Sequence, residues 1–403
     1  MRIAMFTNNY KPYIGGVPIS IEHLSESLRK LGHEVYVFAP TYPNQQEEPY
    51  VIRYPSFPMA VAGAPIPNVC TKLFEEKVKE LQIDVIHVHH PALVGNIALR
   101  IKKKLGIPVV FTYHTRYEEY LYYIKGLKTI ENHVGGMQRY LTWFCQNCDM
   151  LIAPTPEIRE HLLQKGITDT NVTILPTGIP NTGFQTEKQR AMEIRSNYLA
   201  KADFLFCTVS RLAKEKNLVF QLDGLQQLKQ MLAQKGKSFH YIMIGDGPQR
   251  EVLQKEIAER GLSENISLLG NMPNEEIKNY YAASDAFLFS SKSETQGIVI
   301  LEAMAQGTPV VAVNATGVRD IVKSGENGML TSEHPLLWAK SIYKLVMDID
   351  RCAYMSEEAK KTAMSFSEDK VARQAQECYG KVCAQAQRCD ILFSWNRKVF
   401  VKQ

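Results

Sequence analysis

The sequence predicts an α/β chain built from two successive doubly wound, Rossmann-like domains, on three observations. Short apolar strands alternate with helical stretches through the first half. The alternation pauses over residues 176–201, which carry two prolines, two glycines and a charged stretch, and then restarts. A length of 403 residues is too great for one ordinary core and suits two domains of about 150–200 residues each.

In the first half the strand candidates are 2–7, 34–39, 84–89, 108–113, 149–154 and 172–175, with helical periodicity over 18–31, 68–81, 92–105 and 136–147. Near-continuous apolar runs such as Val85-Ile86-His87-Val88 suit a sheet buried on both faces. The apolar stretch 55–67 is broken by Pro55, Pro58, Gly63, Pro65 and Pro67 and is expected as a loop. After the pause, strands are expected at 204–210, 240–245, 266–269, 286–290 and 309–313, with helices between. The expected domains are 1–180 and 200–385, with a basic, aromatic tail over 386–403 packing back on the first domain. In such folds a ligand cleft forms at the carboxyl ends of the strands.

Composition narrows the function classes. With 45% hydrophobic and 22% charged residues the chain is globular rather than disordered or fibrous. A net charge of +5 permits mild attraction to an anionic surface and does not argue for nucleic acid, which calls for a concentrated basic face. Met1-Arg2 runs directly into a strand-like stretch, so no signal peptide is expected. No stretch approaches the roughly 18 uncharged apolar residues of a membrane-spanning helix. The chain is therefore expected in the cytoplasm, touching a membrane only peripherally. The eight cysteines form no disulfide framework; Cys145 and Cys148 lack a second pair or a His pair at zinc spacing and are expected as reduced, structural thiols.

Four short segments carry chemistry. Gly15-Gly16 stands immediately before a helix, where a backbone without Cβ approaches a ligand closely; plain loop geometry fits it too. Arg211 and Lys216 lie where a strand ends and a helix begins, a place where a cation has the wrong sign for the helix dipole, which points to an anionic guest. The alternative is a solvated basic loop. Gly245-Asp246-Gly247-Pro248 is a second strand-to-helix turn open to close approach. Finally Glu294 sits at a helix entrance and Glu302 lies two turns into that helix, among Ile300, Leu301, Ala303 and Met304. Helix capping accounts for Glu294 alone; a buried carboxylate at 302 is costly unless something donates hydrogen bonds to it, as ribose hydroxyls would.

In this order the segments resemble the retaining, family 4 glycosyltransferases, whose E-x(7)-E motif matches Glu294 and Glu302. The resemblance runs from Met1 to about Val382; each piece is unspecific and the ordered set is specific. It implies the GT-B fold, two Rossmann-like domains facing a central cleft, and transfer of a sugar from a nucleotide-diphosphate donor. Carried over, Glu294 would touch the donor sugar's hydroxyls and Glu302 the ribose. Ile298 would lie near the base or ribose, and Val299 and Ile300 would lend amides to the phosphates, with Gln296 and Gly297 completing the donor loop. Arg211 and Lys216 would grip the diphosphate, Gly15 and Gly16 would approach it from the first domain, and Gly245 and Gly247 would line the donor side. Such cations stand in for a metal, so no metal and no cofactor is expected beyond the nucleotide-sugar substrate, which is expected to be UDP-glucose. His89, His90 and His114 show no defensible ligand spacing.

The acceptor side is read from Tyr113-His114-Thr115 and the aromatic run beyond it. A His after a buried strand's carboxyl end is placed to reach a ligand, and the family's Tyr-His-Thr sets it beside the donor sugar; a loop histidine bonded to backbone is the plainer alternative. The Tyr-rich run with Tyr117 and Tyr120 looks like glycosyltransferases that glucosylate diacylglycerol at a membrane surface; core packing is the other reading. Arg100, Lys102, Lys103 and Lys104 either meet anionic lipid on the inner face of the cell membrane or offset a helix's negative end. The resemblance thus implies a hexosyltransferase acting on a lipid acceptor such as 1,2-diacylglycerol. Open alternatives are another acceptor on the same fold (a polyprenyl-linked sugar, phosphatidylinositol or a small-molecule alcohol) and a nucleotide-sugar epimerase.

Overall fold

The computed structural model describes residues 1–13, 15–43, 45–61, 64–68, 71–116, 136–168 and 171–400. It divides into two compact units: Met1–Gly178 together with the chain from Glu368 onward, and Ile179–Ser367.

The first unit opens with β1 (Arg2–Phe6), α1 (Gly16–Lys30), β2 (Glu34–Pro40) and β3 (Val51–Tyr54). Next come β4 (Ser56–Val61), β5 (Ala64–Pro67), α2 (Thr71–Glu80), β6 (Val85–Val88) and α3 (Val94–Leu105). β7 (Val109–Thr112), α4 (Gly136–Asn147), β8 (Met150–Ala153), α5 (Pro156–Gln164) and β9 (Val172–Ile174) follow. Seven strands form one parallel sheet in the order β3-β2-β1-β6-β7-β8-β9. Alternate residues of β1 serve opposite layers: Ala4 and Phe6 join the core with Phe38, Phe74 and Val88, while Ile3 and Met5 join the one with Val35, Val37 and Ile21. Residues 55–67, expected as a loop, instead pair as the antiparallel ribbon β4-β5. Its prolines are tolerated because, among the described residues, the two strands pair with each other and with no strand of the main sheet.

The second unit carries α6 (Lys188–Leu199), β10 (Phe204–Val209), α7 (Leu218–Ala233), β11 (Phe239–Ile244), α8 (Arg250–Glu259) and β12 (Ile266–Gly270). It continues through α9 (Asn274–Ala283), β13 (Ala286–Phe289), α10 (Ile298–Ala305), β14 (Val310–Val313), β15 (Gly328–Thr331), α11 (Pro335–Met347) and α12 (Ile349–Ser365). Its parallel sheet runs β12-β11-β10-β13-β14-β15. The strands again alternate between two cores: Phe206, Tyr241 and Leu288 face one, and Leu205, Ile242 and Phe287 the other.

The return to the first unit begins at α13 (Glu368–Phe400), ahead of the tail expected at 386. Its stripe of Val371, Ala372, Ala375, Tyr379 and Val382 has helical spacing and packs in the core lined by Ile21 and Leu28 of α1. Lys30 of α1 adds an ion pair, 2.8 Å, to the nearly buried Glu368. Among the described residues no helix is long and apolar enough to cross a membrane.

Candidate active site

In the second unit the strand order reverses between β10 and β13, the crevice where ligands bind in open parallel sheets. The loops leaving those strands, 210–217 and 290–297, are fastened together by a buried polar chain. The Tyr241 hydroxyl donates to Gln221 Oε1, and Gln221 Nε2 donates to Ser290 Oγ at 2.8 Å. Ser290 Oγ lies 2.7 Å from the Lys216 carbonyl and 3.1 Å from that of Asn217, and Ser291 Oγ lies 3.4 Å from the Glu215 carbonyl. Gln221, Tyr241, Ser290 and Ser291 are almost wholly buried, where each unmade hydrogen bond would be costly. Nothing in the linear sequence marks these four residues as one chain, because they come from separate parts of it.

This fastening sets Lys216 Nζ 2.5 Å from Glu294 Oε1, with side chains only 20% and 18% exposed. The residues expected at the diphosphate and at the sugar hydroxyls thus meet in one ion pair. Burial alone would raise the Glu294 carboxyl; the charge and hydrogen bond of Lys216 and a hydrogen bond from Ser291 outweigh it and hold the group below its ordinary value. A carboxylate depressed in this way stabilises the fold above its ordinary range, and that contribution is lost as pH falls through the depressed value. Arg211, one residue past Ser210, is solvent-exposed.

The glycines of the turn after β11 approach the chain itself. A Cβ on Gly245, whose φ is +127°, would stand 2.0 Å from the Ser210 carbonyl oxygen, and one on Gly247 would stand 2.5 Å from that of Leu212. The Leu212 amide donates to the Asp246 carbonyl (3.0 Å) and the Gln249 amide to the Leu212 carbonyl (2.9 Å). Their position in the structure is therefore beneath the 210–217 loop, which they support.

α10 starts at Ile298, two residues later than the pattern suggested, because Gly297 takes a left-handed conformation (φ +74°) at its entrance. Ile300 is fully buried and its amide donates to the Gly297 carbonyl at 2.9 Å, while Ile298 and Val299 are half-buried and Gln296 is 3% exposed. Glu302 accepts a hydrogen bond, 3.1 Å, from the Tyr281 hydroxyl of α9. Burial raises the Glu302 carboxyl and the Tyr281 bond only partly opposes it.

In the first unit the equivalent switch lies between β1 and β6. α1 begins at Gly16, with Gly15 extended (φ −179°), a conformation open to any residue. The preceding loop is pinned by Lys11, whose Nζ lies 2.7 Å from Glu22 and 2.6 Å from Glu48; Glu48 also pairs with Arg53 at 3.1 Å. Sequence reasoning missed this network. It also found no relation among the histidines, yet the carboxyl ends of β6 and β7 bring His89 Nδ1 within 2.8 Å of His114 Nε2. His90 Nδ1 accepts from the Asn8 amide at 3.2 Å. Burial pushes the His90 imidazole down to about 4 and holds His89 and His114 well below the ordinary value, which favours the neutral form of each ring. Among the described residues no three His, Cys, Asp or Glu side chains converge as metal ligands.

On α3, Lys102 pairs with Asp149 at 2.9 Å and Lys104 pairs with Glu75. Lys102 and Lys104, two of the four cations expected at a membrane, are thus engaged within the chain, and Arg100, Lys103 and Lys104 are exposed. All four lie in or beside the last turn of α3, which ends on left-handed Gly106, where cations oppose the helix dipole. Tyr117 and Tyr120 lie outside the described residues. Cys145 and Cys148 are buried free thiols, and burial pushes Cys145 up to about 12, which keeps it an unreactive thiol.

Two parallel sheets, each with polar residues gathered at its switch point, make a two-domain ligand-binding architecture, and comparison with known families defines its class as a sugar-transfer enzyme. Residues 14–182 match the Glycosyltransferase Family 4 model and residues 190–362 the model of Glycosyl transferases group 1. The chain belongs to this family of GT-B glycosyltransferases. It is 29% identical over 395 residues to the alpha-monoglucosyldiacylglycerol synthase of Acholeplasma laidlawii, covering 94% of this chain and 96% of that one. The Streptococcus pneumoniae protein of the same name is 31% identical over 348 residues, covering 84% and 77%. Among solved structures, Anabaena Alr3699/HepE in complex with UDP-glucose shares the fold with a TM-score of 0.75 at 20% identity, over 94% of this chain and 100% of that one.

Proposed function

We propose that this glycosyltransferase moves glucose from UDP-glucose to 1,2-diacylglycerol with retention of configuration, without a metal ion or other cofactor. The Lys216–Glu294 pair at the switch point of the second sheet carries the reading. It couples a cation suited to the leaving diphosphate with a carboxylate suited to sugar hydroxyls. The lipid acceptor is supported by the names of the two synthases, whose alpha-linked product from an alpha-configured donor corresponds to retention. The surface would be the anionic inner face of the membrane, met peripherally.

In the reaction the bond from the sugar's anomeric carbon to the diphosphate breaks, and a bond to the acceptor oxygen forms on the same face. The hydroxyl proton passes to a donor phosphate oxygen and UDP leaves. Negative charge grows on the diphosphate, where Lys216 and Arg211 supply positive charge fixed before the reaction starts. His114 is the residue we assign to contact with the donor sugar. Glu302, oriented by Tyr281, accepts from the ribose hydroxyls.

The test is transfer of labelled glucose by the full chain, in EDTA, to phosphatidylglycerol vesicles carrying diacylglycerol. A chloroform-soluble product with an alpha linkage is expected, and none from GDP-mannose. Product only with soluble acceptors, or only with added magnesium or manganese, overturns the reading. Glu302→Gln is expected to weaken UDP binding while leaving the melting temperature nearly unchanged. Titration calorimetry showing wild-type affinity for UDP would remove the ribose assignment.

A further inference from the structure

We propose that His89 is a positioning residue for His114, fixing through its Nδ1 both the ring orientation and the tautomer that His114 presents. The inference rests on the reading of His114 as a group that meets the donor sugar.

β6 and β7 are parallel neighbours, with Val88 opposite Phe111. His89 follows the last residue of one strand and His114 comes two residues after the other, so their rings leave the same sheet edge side by side. The rings stack at 5.1 Å and 22°, and a single 2.8 Å hydrogen bond joins them. His89 is 1% exposed and is braced from behind by His87, whose ring centre is 4.2 Å away. His87 is itself held from two sides: its Nε2 lies 2.7 Å from Thr112 Oγ1 and its Nδ1 lies 2.8 Å from the Tyr379 hydroxyl. His89 therefore has little freedom to turn, and His114 is held by a partner that is already fixed.

The tautomer comes from counting protons. Two neutral imidazoles carry one ring N–H each, and the bridge uses one of them. If His114 Nε2–H donates to His89 Nδ1, the proton of His89 sits on Nε2, a buried atom with no hydrogen-bond partner. If His89 Nδ1–H donates to His114 Nε2, that buried Nε2 is left with only a lone pair. Buried donors without a partner are rarer than under-used acceptors, so the second arrangement prevails. It puts the proton of His114 on Nδ1, making that nitrogen a donor. This is the familiar way in which a group behind a histidine selects which nitrogen works in front.

Two measurements test this. Nitrogen NMR of the full chain labelled at histidine, with the signals assigned by His114→Gln and His89→Gln, should show His114 protonated at Nδ1; protonation at Nε2 overturns the proposal. In steady-state assays His89→Leu should lower kcat by about tenfold or more, the scale of losing alignment in a bound complex, with the donor KM little changed. His89→Asn places an amide near the position of Nδ1 and should restore most of the loss. Equal loss in the Leu and Asn variants, or no loss in either, sinks the positioning role. His114→Ala is assayed alongside: full turnover there removes the assignment of His114 itself, an outcome that the tautomer measurement does not share. The wild-type NMR result also decides the case if His89→Leu fails to fold.

Discussion

Lys216→Ala and Arg211→Ala are each expected to lower turnover by about 10²–10³-fold, the loss measured when one preformed donor to developing negative charge is removed, ~2.7–4 kcal/mol. Lys214→Ala, in the same short turn and exposed, is the control and should stay near wild type. The two active-site variants will differ in one respect. Arg211 is an exposed cation at the end of β10, whereas removal of Lys216 also leaves Glu294 largely buried without the cation that holds its carboxyl down. Lys216→Ala should therefore be the more severe. Combining it with Glu294→Gln should cost less than the sum of the two single losses, because the pair acts as a unit. Near-normal turnover in both single mutants defeats the diphosphate assignment, and simple additivity defeats the coupling.

Gly245→Ala should be the most damaging single methyl in the second unit. The backbone conformation alone costs on the order of 1–3 kcal/mol for a residue with a side chain, and the new Cβ would stand 2.0 Å from the Ser210 carbonyl oxygen. Gly236→Ala is the comparison without the clash, at a φ that a side chain tolerates better. Gly236 also has positive φ, +65°, but a Cβ there meets nothing within 4 Å. Since about 1 kcal/mol moves the melting temperature of a domain of this size by ~2–4 °C, Gly245→Ala should melt well below Gly236→Ala. It should also lose activity, because Ser210 begins the loop that carries Arg211 and Lys216. Equal melting temperatures for the two variants would mean that the turn gives way easily.

The readable parts of this molecule are those written in local pattern. Strands such as Val85–Val88 are buried throughout because both faces are covered, and that shows in a run of four letters of which only His87 is polar. The Glu294–Glu302 spacing and the Arg211–Lys216 loop are legible for the same reason: each lies within a single strand-loop-helix passage. What escapes is assembled from distant elements. The Tyr241–Gln221–Ser290 chain joins β11, α7 and the end of β13, and none of its members is unusual in its own neighbourhood. His89 and His114 become a pair only through the β6–β7 register. The turn glycines stand out in the sequence, but their close approach to the 210–217 loop does not, since letters do not say whose backbone comes close. The prolines of 55–67 suggest a loop because the rule against proline in strands applies to central strands, and among the described residues β4 and β5 pair with each other and with no strand of the main sheet.

The chain leaves the first unit at Gly178 and re-enters it at Glu368, and next to these crossings the Ile179 amide bonds the Phe366 carbonyl at 2.8 Å. The second unit is thus an insertion whose two ends are stapled to each other. On the ribosome, the inserted unit emerges whole while the earlier sheet still lacks one of the helices that pack on the face lined by Ile21 and Leu28. Until Tyr379 is synthesised, His87 waits without one of its two partners. Protein synthesis therefore finishes the early half of the sequence last.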